Sequence, residues 1–144
     1  MAEIIYKCSQ IIKAPVEQVF RAVTEIENFP RWNPTTSVTR KISSGVTGLG
    51  SEFEMKIRGF GNVRQTLDEF IPNKQVMIVP HIKMLGGGHR FIFKKLSDQE
   101  TQVDHEMIMI PKGIFRLFSP MMKSMGKKNV DALAECLKNY TEKK

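Results

Sequence analysis

The spacing of apolar residues changes at Pro111, and this change constrains the chain more than any other feature. Before it, from Thr36 onward, apolar and polar side chains alternate. Phe53, Met55 and Ile57 are interleaved with Glu52, Glu54, Lys56 and Arg58. That is the two-residue period of strands with one dry face. After Pro111-Lys112-Gly113 the period becomes helical. Met122, Met125, Gly126, Val130, Leu133, Cys136, Leu137 and Tyr140 fall on one arc, and Lys123, Lys127, Lys128, Asp131, Glu135 and Lys138 fill the rest. Ser119-Pro120 reads as the start of this helix, with Ser as N-cap and Pro just inside.

The remaining elements follow from the same spacing. Ile4 to Lys13 reads as an opening strand ended by Ala14-Pro15. Pro15 suits a first helical position, and Val16, Val19, Phe20 and Val23 continue at helical spacing. Pro30 and Pro34 exclude one long helix, so Asn28–Pro34 is a short second helix or turn carrying Trp32. Further strands run Val63–Ile71, Gln75–Ile82, Arg90–Leu96 and Thr101–Ile110. The turns between strands are Gly59–Asn62, Pro72-Asn73, Gly86-Gly87-Gly88 and Ser97–Glu100. The predicted fold is α+β: a seven-stranded curved antiparallel sheet, two short helices and one long C-terminal helix. A sheet with one apolar face needs a cover, and only the terminal helix is long enough to supply it.

Composition narrows the setting. The 144 residues fit a single domain, and 41% hydrophobic with 26% charged residues is ordinary for a packed core. The N-terminus Met1–Lys7 lacks the pattern of a signal peptide, and no apolar run approaches the roughly 18 residues of a membrane span. A cytoplasmic protein is expected, with Cys8 and Cys136 as reduced core residues. The net charge of +7 is uneven: residues 112–144 carry eight basic and three acidic side chains. The basic C-terminal helix offers a surface for anionic membranes, although a solvated lysine face explains the same residues more plainly. Nucleic acid is not an expected partner, because the basic residues do not alternate with aromatics in a stacking pattern.

Searches for reactive motifs return little. His81, His89 and His105 have no i,i+4 pairing and no HExxH, so no metal site is expected. Gly86-Gly87-Gly88 lacks the Lys-Ser/Thr of a phosphate loop and reads as a flexible hairpin or pocket gate. No cofactor is implied.

Four segments carry a resemblance that spans nearly the whole chain: Ile12–Phe20, Phe29–Pro34, Glu69–Val76, and the Gly-containing connection into a helix ending Ala132–Lys138. In this order they resemble the START-like superfamily, also called SRPBCC, which includes polyketide cyclase/dehydrase-like proteins. The resemblance implies a helix-grip fold with a ligand cavity between sheet and helix. It leaves function open, since the superfamily spans carriers, receptors, cyclases and chaperone activators.

Which strand residues would line that cavity depends on register. A two- or four-residue hairpin after Ile57 sets Ile57 opposite Arg64, Met55 opposite Thr66 and Phe53 opposite Asp68. A bulged loop pairs Ile57 with Val63 and turns Gln65 and Leu67 inward. The superfamily's strand pattern favours the first. The hairpin at Asp98-Gln99 has the same ambiguity; a two-residue turn sets Phe91 opposite Glu106 and Phe93 opposite Asp104. By resemblance Met77, Val79 and His81 also point in. With Trp32, His89, Met122 and Met125 these residues form the expected ligand site. The reading is a carrier or binder of a hydrophobic small molecule such as a lipid, isoprenoid quinone or polyketide. A cyclase or dehydratase using Asp68, Asp104, Glu106 or His89 for proton transfer is the alternative, and a protein-interaction module the third. Monomer and homodimer both remain open.

Overall fold

The computed structural model describes residues 3–143, apart from the side chain of Val38. Met1, Ala2 and Lys144, which entered the terminal and charge readings, lie outside that range. The elements are β1 (Ile4–Ile12), α1 (Val16–Thr24), a 3₁₀ segment (Ile26–Arg31), β2 (Thr36–Lys41), β3 (Glu52–Ile57), β4 (Gly61–Ile71), β5 (Gln75–Pro80), β6 (Leu85–Ser97), β7 (Glu100–Pro111), a second 3₁₀ segment (Gly113–Phe118) and α2 (Ser119–Glu142). The strands form one antiparallel sheet in the order β1-β7-β6-β5-β4-β3-β2. It curls around α2, which packs on β1 and β7. No helix among the described residues is long and apolar enough to cross a membrane.

Three local expectations need correcting. Gly86-Gly87-Gly88 is not a turn but part of β6; the chain reverses at Lys83-Met84, between bridged Ile82 and Leu85. Met84 accepts the positive φ of 69° that this tight reversal requires. Pro15 is the N-cap of α1, in extended backbone, rather than its first helical residue. Ser119 is already helical, and its hydroxyl donates to the Arg116 carbonyl at 2.9 Å instead of capping α2.

The core lies between the inner face of the sheet and the helices. Ile12, Val19, Val23, Ile26, Phe53, Leu67, Val76 and Leu137 are all but fully enclosed. Phe20 of α1 meets Phe70 and Phe93 edge-on, with centroids 5.4 and 5.2 Å apart. Trp32 packs edge-on against Phe29, and its indole N–H donates to the Ala22 carbonyl at 3.2 Å.

The buried stripe of α2 is Gly126, Val130, Ala134, Leu137 and Thr141. These residues recur every three or four positions, as a gripped helix requires. Polar groups of β1 and of Lys13 just after it fasten α2 along its length. The Tyr6 hydroxyl donates to the Lys123 carbonyl, the Gln10 amide to the Ala134 carbonyl at 2.7 Å, and the Lys13 backbone N–H to Glu142 at 2.8 Å. Gly126 allows the close approach: a Cβ there would stand 2.5 Å from the Tyr6 ring. Cys8 and Cys136 are free thiols. Burial, and then the Asp131 carboxylate, push the Cys8 thiol up from its ordinary pKa.

Candidate functional site

A cavity of about 280 Å³ lies between the sheet and the first half of α2. Its walls are Gly86–Gly88, Met107 and Met109 on the sheet side, and Met122, Met125, Gly126, Asn129 and Leu133 on the helix side. Arg58 and Phe60, in the β3–β4 hairpin, stand at its rim. An adjoining inner chamber of about 110 Å³ is lined by Phe29, Trp32, Met55, Gln65, Ile78 and Phe91, among others. Thr35, Ile57, Pro80, His89 and Leu133 border both spaces, so the two adjoin along these side chains. An apolar wall with a few polar groups is the usual make-up of a small-molecule site.

The polar groups gather at the inner end. His89 Nδ1 lies 2.9 Å from His105 Nε2. The His105 ring stacks on Phe91, with centroids 4.2 Å apart and an interplanar angle of 15°. Burial pushes the His89 imidazole down to about 4, and burial followed by the neighbouring His89 pushes His105 well below its ordinary value. The pair is therefore neutral at physiological pH and shares a single hydrogen between the facing nitrogens. Gln65 is only 3% exposed and turns toward the inner chamber. Asn33 accepts from the Thr35 backbone N–H at 3.0 Å and from its hydroxyl at 2.7 Å, which fixes the loop that closes this end.

The structure sorts the expected site residues into three groups. Trp32, Met55, Ile57, His89, Phe91, Met122 and Met125 line the pocket. Phe53 and Phe93 face inward but are core residues enclosed elsewhere. Arg64, Thr66, Asp68, Met77, Val79, His81, Asp104 and Glu106 belong to the outer face.

Two bulges and a hairpin explain that third group. The β3–β4 loop has three residues, with Ile57 paired to Gly61, whose φ of 75° matches a bulged three-residue hairpin. Phe53 therefore faces Gln65 and Met55 faces Val63. This is the facing of the bulged alternative, although Ile57 does not pair with Val63. A further bulge at Asp68 leaves Val76 and Ile78, not Met77 and Val79, on the inner face. The Asp98-Gln99 turn does have two residues, but a bulge at Leu96 shifts the ladder by one. Phe91 then pairs with His105 and Phe93 with Val103.

The outer residues satisfy one another. Arg64 pairs with Glu52 at 3.0 Å, the Thr66 hydroxyl donates to Asp68 at 2.8 Å and contacts His81 Nε2 at 2.8 Å, and Ser9 donates to Asp104 at 2.6 Å. Arg90 bridges Glu69 and Glu106.

Gln65 and His105 were not among the expected ligand contacts. Their signal lay in the alternation itself: Val63-Gln65-Leu67 against Arg64, Thr66 and Asp68, and Val103-His105-Met107 against Asp104 and Glu106. Each is a polar residue at an apolar position of its strand. A second space of about 330 Å³, lined by Gln18, Arg21, Ala22, Glu25, Tyr140 and Thr141, lies between α1 and the end of α2. Its polar lining makes it a poorer site for an apolar molecule. Among the described residues no three His, Cys, Asp or Glu side chains are grouped to hold a metal ion.

Comparison with known proteins agrees with this architecture. A START superfamily protein from Mycobacterium smegmatis superposes with a TM-score of 0.79 at 16% identity, over 96% of this chain and 97% of that one. The Zhui aromatase/cyclase from Streptomyces sp. R1128 gives 0.78 at 11% identity, over 98% and 94%. Ara h 8.0201 gives 0.72 at 11% identity, over 99% and 100%. At these identities the likeness is one of fold. No sequence among curated proteins gives a significant match. The family model described as polyketide cyclase/dehydrase and lipid transport matches residues 5–142, and the chain belongs to that family.

Proposed function

We propose that the protein binds a hydrophobic small molecule, of lipid, isoprenoid quinone or polyketide type, in the pocket between β6, β7 and α2. The observation that carries this reading is the cavity of about 280 Å³ in which Gly86–Gly88, Met107 and Met109 face Met122 and Met125. Unbranched methionines adapt to irregular apolar ligands. Native mass spectrometry of the protein purified from its expression host tests it. An apolar adduct that organic extraction removes is the expected result. A protein that carries no adduct and takes up no offered apolar compound would overturn the reading.

The His89–His105 pair favours a second reading, cyclisation or dehydration of a polyketide-like substrate. A neutral imidazole lining an apolar pocket offers a lone pair for a proton from a carbon beside a carbonyl, as a weak base at the pKa of about 4 that burial sets. Ring closure of an offered polyketide, lost in His89→Gln, is its test.

Ligand exchange at a membrane would use the segment beside the pocket rim. Ile114, Leu117, Phe118, Met121 and Met125 are exposed there, Leu117 at 77%. Lys112, Arg116, Lys123, Lys127 and Lys128 accompany them, with no acidic residue from 112 to 130. Apolar side chains ringed by cations suit the surface of an anionic bilayer.

A further inference from the structure

The inner chamber holds more hydrogen-bonding capacity than the protein uses. The Gln65 side-chain amide has no partner among the described residues, and the only fully enclosed side-chain polar atom left without one is the Thr39 hydroxyl. The Gln65 amide therefore opens on the chamber that it lines. His89 Nε2 is in the same position, since Nδ1 is taken by His105. Gln65 offers a donor and an acceptor together. His89 offers either one, according to the tautomers that the two neutral rings adopt. With His105 donating, Nε2 of His89 carries a hydrogen and donates. With His89 donating through Nδ1, its Nε2 accepts.

Among the described residues, no Asp, Glu, Lys or Arg lines this chamber. A carboxylate or ammonium drawn into it would lose its water and meet no countercharge, which is far more costly than burying a hydrogen-bonded neutral group. Trp32, Phe29 and Ile78 supply apolar contact around the polar pair. The outer cavity continues from His89 toward Met122 and Met125.

We propose that Gln65 and His89, backed by His105, form a recognition site for an uncharged hydroxyl, phenol or carbonyl group at one end of an apolar ligand, whose body lies in the outer cavity. This rests on the binding function proposed above and specifies the ligand's head. It names two residues that read polarity where the rest of the pocket reads only shape.

Calorimetric titration with ligands of one chain length tests it: 1-decanol, 2-decanone, decanoate and decylammonium, at about pH 7.5, where both imidazoles are neutral. The alcohol and the ketone are expected to bind at least about tenfold tighter than either ion. Gln65→Leu is expected to weaken the alcohol and ketone by about tenfold, with the melting temperature reported alongside. Gln65→Glu is expected to shift preference toward decylammonium, a change that a mere loss of packing would not produce. Should Gln65→Leu fail to fold, His89→Asn carries the same comparison. Equal or tighter binding of decanoate or decylammonium by the unaltered protein would overturn the proposal and leave the apolar pocket standing. So would unchanged decanol binding in Gln65→Leu. Binding of none of the four ligands would overturn the pocket reading, and this proposal with it.

Discussion

His89 Nδ1 and His105 Nε2 face each other across 2.9 Å where the inner chamber meets the outer cavity, and neither ring has a carboxylate partner among the described residues. Burial lowers the His89 pKa to about 4, from about 6.5 in an unfolded chain. Between those values the unfolded chain binds more protons than the folded one, so stability rises with pH across this window. The contribution is fully present above about pH 6.5 and is lost as pH falls toward 4. Melting temperatures measured from pH 7.5 to pH 4 should fall over this range. The fall should be shallower in His89→Gln, which removes one of the two groups that resist protonation. An identical slope in that variant would show that the pair does not govern acid sensitivity.

Substitution of the three glycines should separate backbone need from open space. Gly87 has φ of 99°, and a Cβ there would lie 2.0 Å from the Ile108 carbonyl oxygen. A Cβ at Gly88 would lie 2.4 Å from the Ile78 carbonyl oxygen. Neither obstacle is a flexible side chain. Gly87→Ala and Gly88→Ala should each cost more than about 2 kcal/mol in urea unfolding. At Gly86 the nearest atom would be the Ile110 Cβ at an ordinary 3.5 Å. Gly86→Ala should stay within about 0.5 kcal/mol and leave ligand affinity unchanged, since its methyl would lie beside Ile110 and Lys112, which do not line the pocket.

The outer face has its own anchor. Arg90 Nε and a terminal nitrogen donate to the two oxygens of Glu69, both at 2.9 Å, and its other terminal nitrogen donates to Glu106 at 3.1 Å. The bond from Arg90 holds the Glu69 carboxyl below its usual pKa. A depressed carboxyl stabilises the fold above its unfolded pKa of about 4.3 and ceases to do so as pH falls below it. These side chains are partly exposed, so solvent screens the network and its worth is modest. Arg90→Met should lose about 1 kcal/mol near neutral pH. The gap between variant and parent should narrow below about pH 4. A gap independent of pH would attribute the loss to packing against Met77 instead.

The segment beside the rim makes a separable prediction. Vesicles with anionic phospholipid should sediment the protein, whereas purely zwitterionic vesicles should do so weakly. Lys123→Glu should reduce the anionic preference by more than about fivefold, since it removes one cation and adds an anion. Leu117→Glu should reduce binding to both kinds of vesicle, because it removes apolar insertion. Lys123 and Leu117 are exposed, so both variants should melt as the parent does. Equal binding to both vesicle types would remove the electrostatic part of this reading.

Much of the architecture was legible because periodicity is a local signal. The switch at Pro111 marks the end of β7, and the arc from Gly126 to Leu137 marks the gripped face of α2. The short residues of that face, Ala134 and Thr141, carried no hydrophobic signal of their own. Ala134 is buried beside β1, whose Gln10 bonds its carbonyl, and Thr141 beside α1, whose Gln18 bonds its carbonyl. The pocket's polar groups were harder to read, since facing depends on loop length and bulges. The bulges at Asp68 and Leu96 each add one residue, and each turns the following side chains over. The Asp98-Gln99 turn has two residues, yet the bulge at Leu96 gives Phe91 and Phe93 other partners than a regular ladder would. The alternation of Val103, His105 and Met107 with Asp104 and Glu106 was the stronger guide, because it reports burial directly and does not pass through a turn. The glycine run misled for a related reason: glycine marks both reversals and close backbone approach, and here it marks the second.

Register can also be tested in solution through ligand binding. Gln65 and Thr66 are neighbours in β4, yet the first lines the inner chamber and the second sits on the outer face beside Asp68 and His81. With decanol as ligand, Thr66→Val, Arg64→Gln and Asp68→Asn should leave affinity within about twofold, since none of these side chains reaches the pocket and outer-face changes cost little. Asp104→Asn should behave likewise, although the loss of its bond from Ser9 will lower stability slightly. Gln65→Leu should change affinity without any of these outer changes. A one-residue slip of β4 against β3 would exchange the two sets. Sensitivity at Thr66 and Asp68 with indifference at Gln65 would therefore be the signature of the other register, and it would move the recognition groups from the Gln65–His89 pair to the acidic side chains of β4.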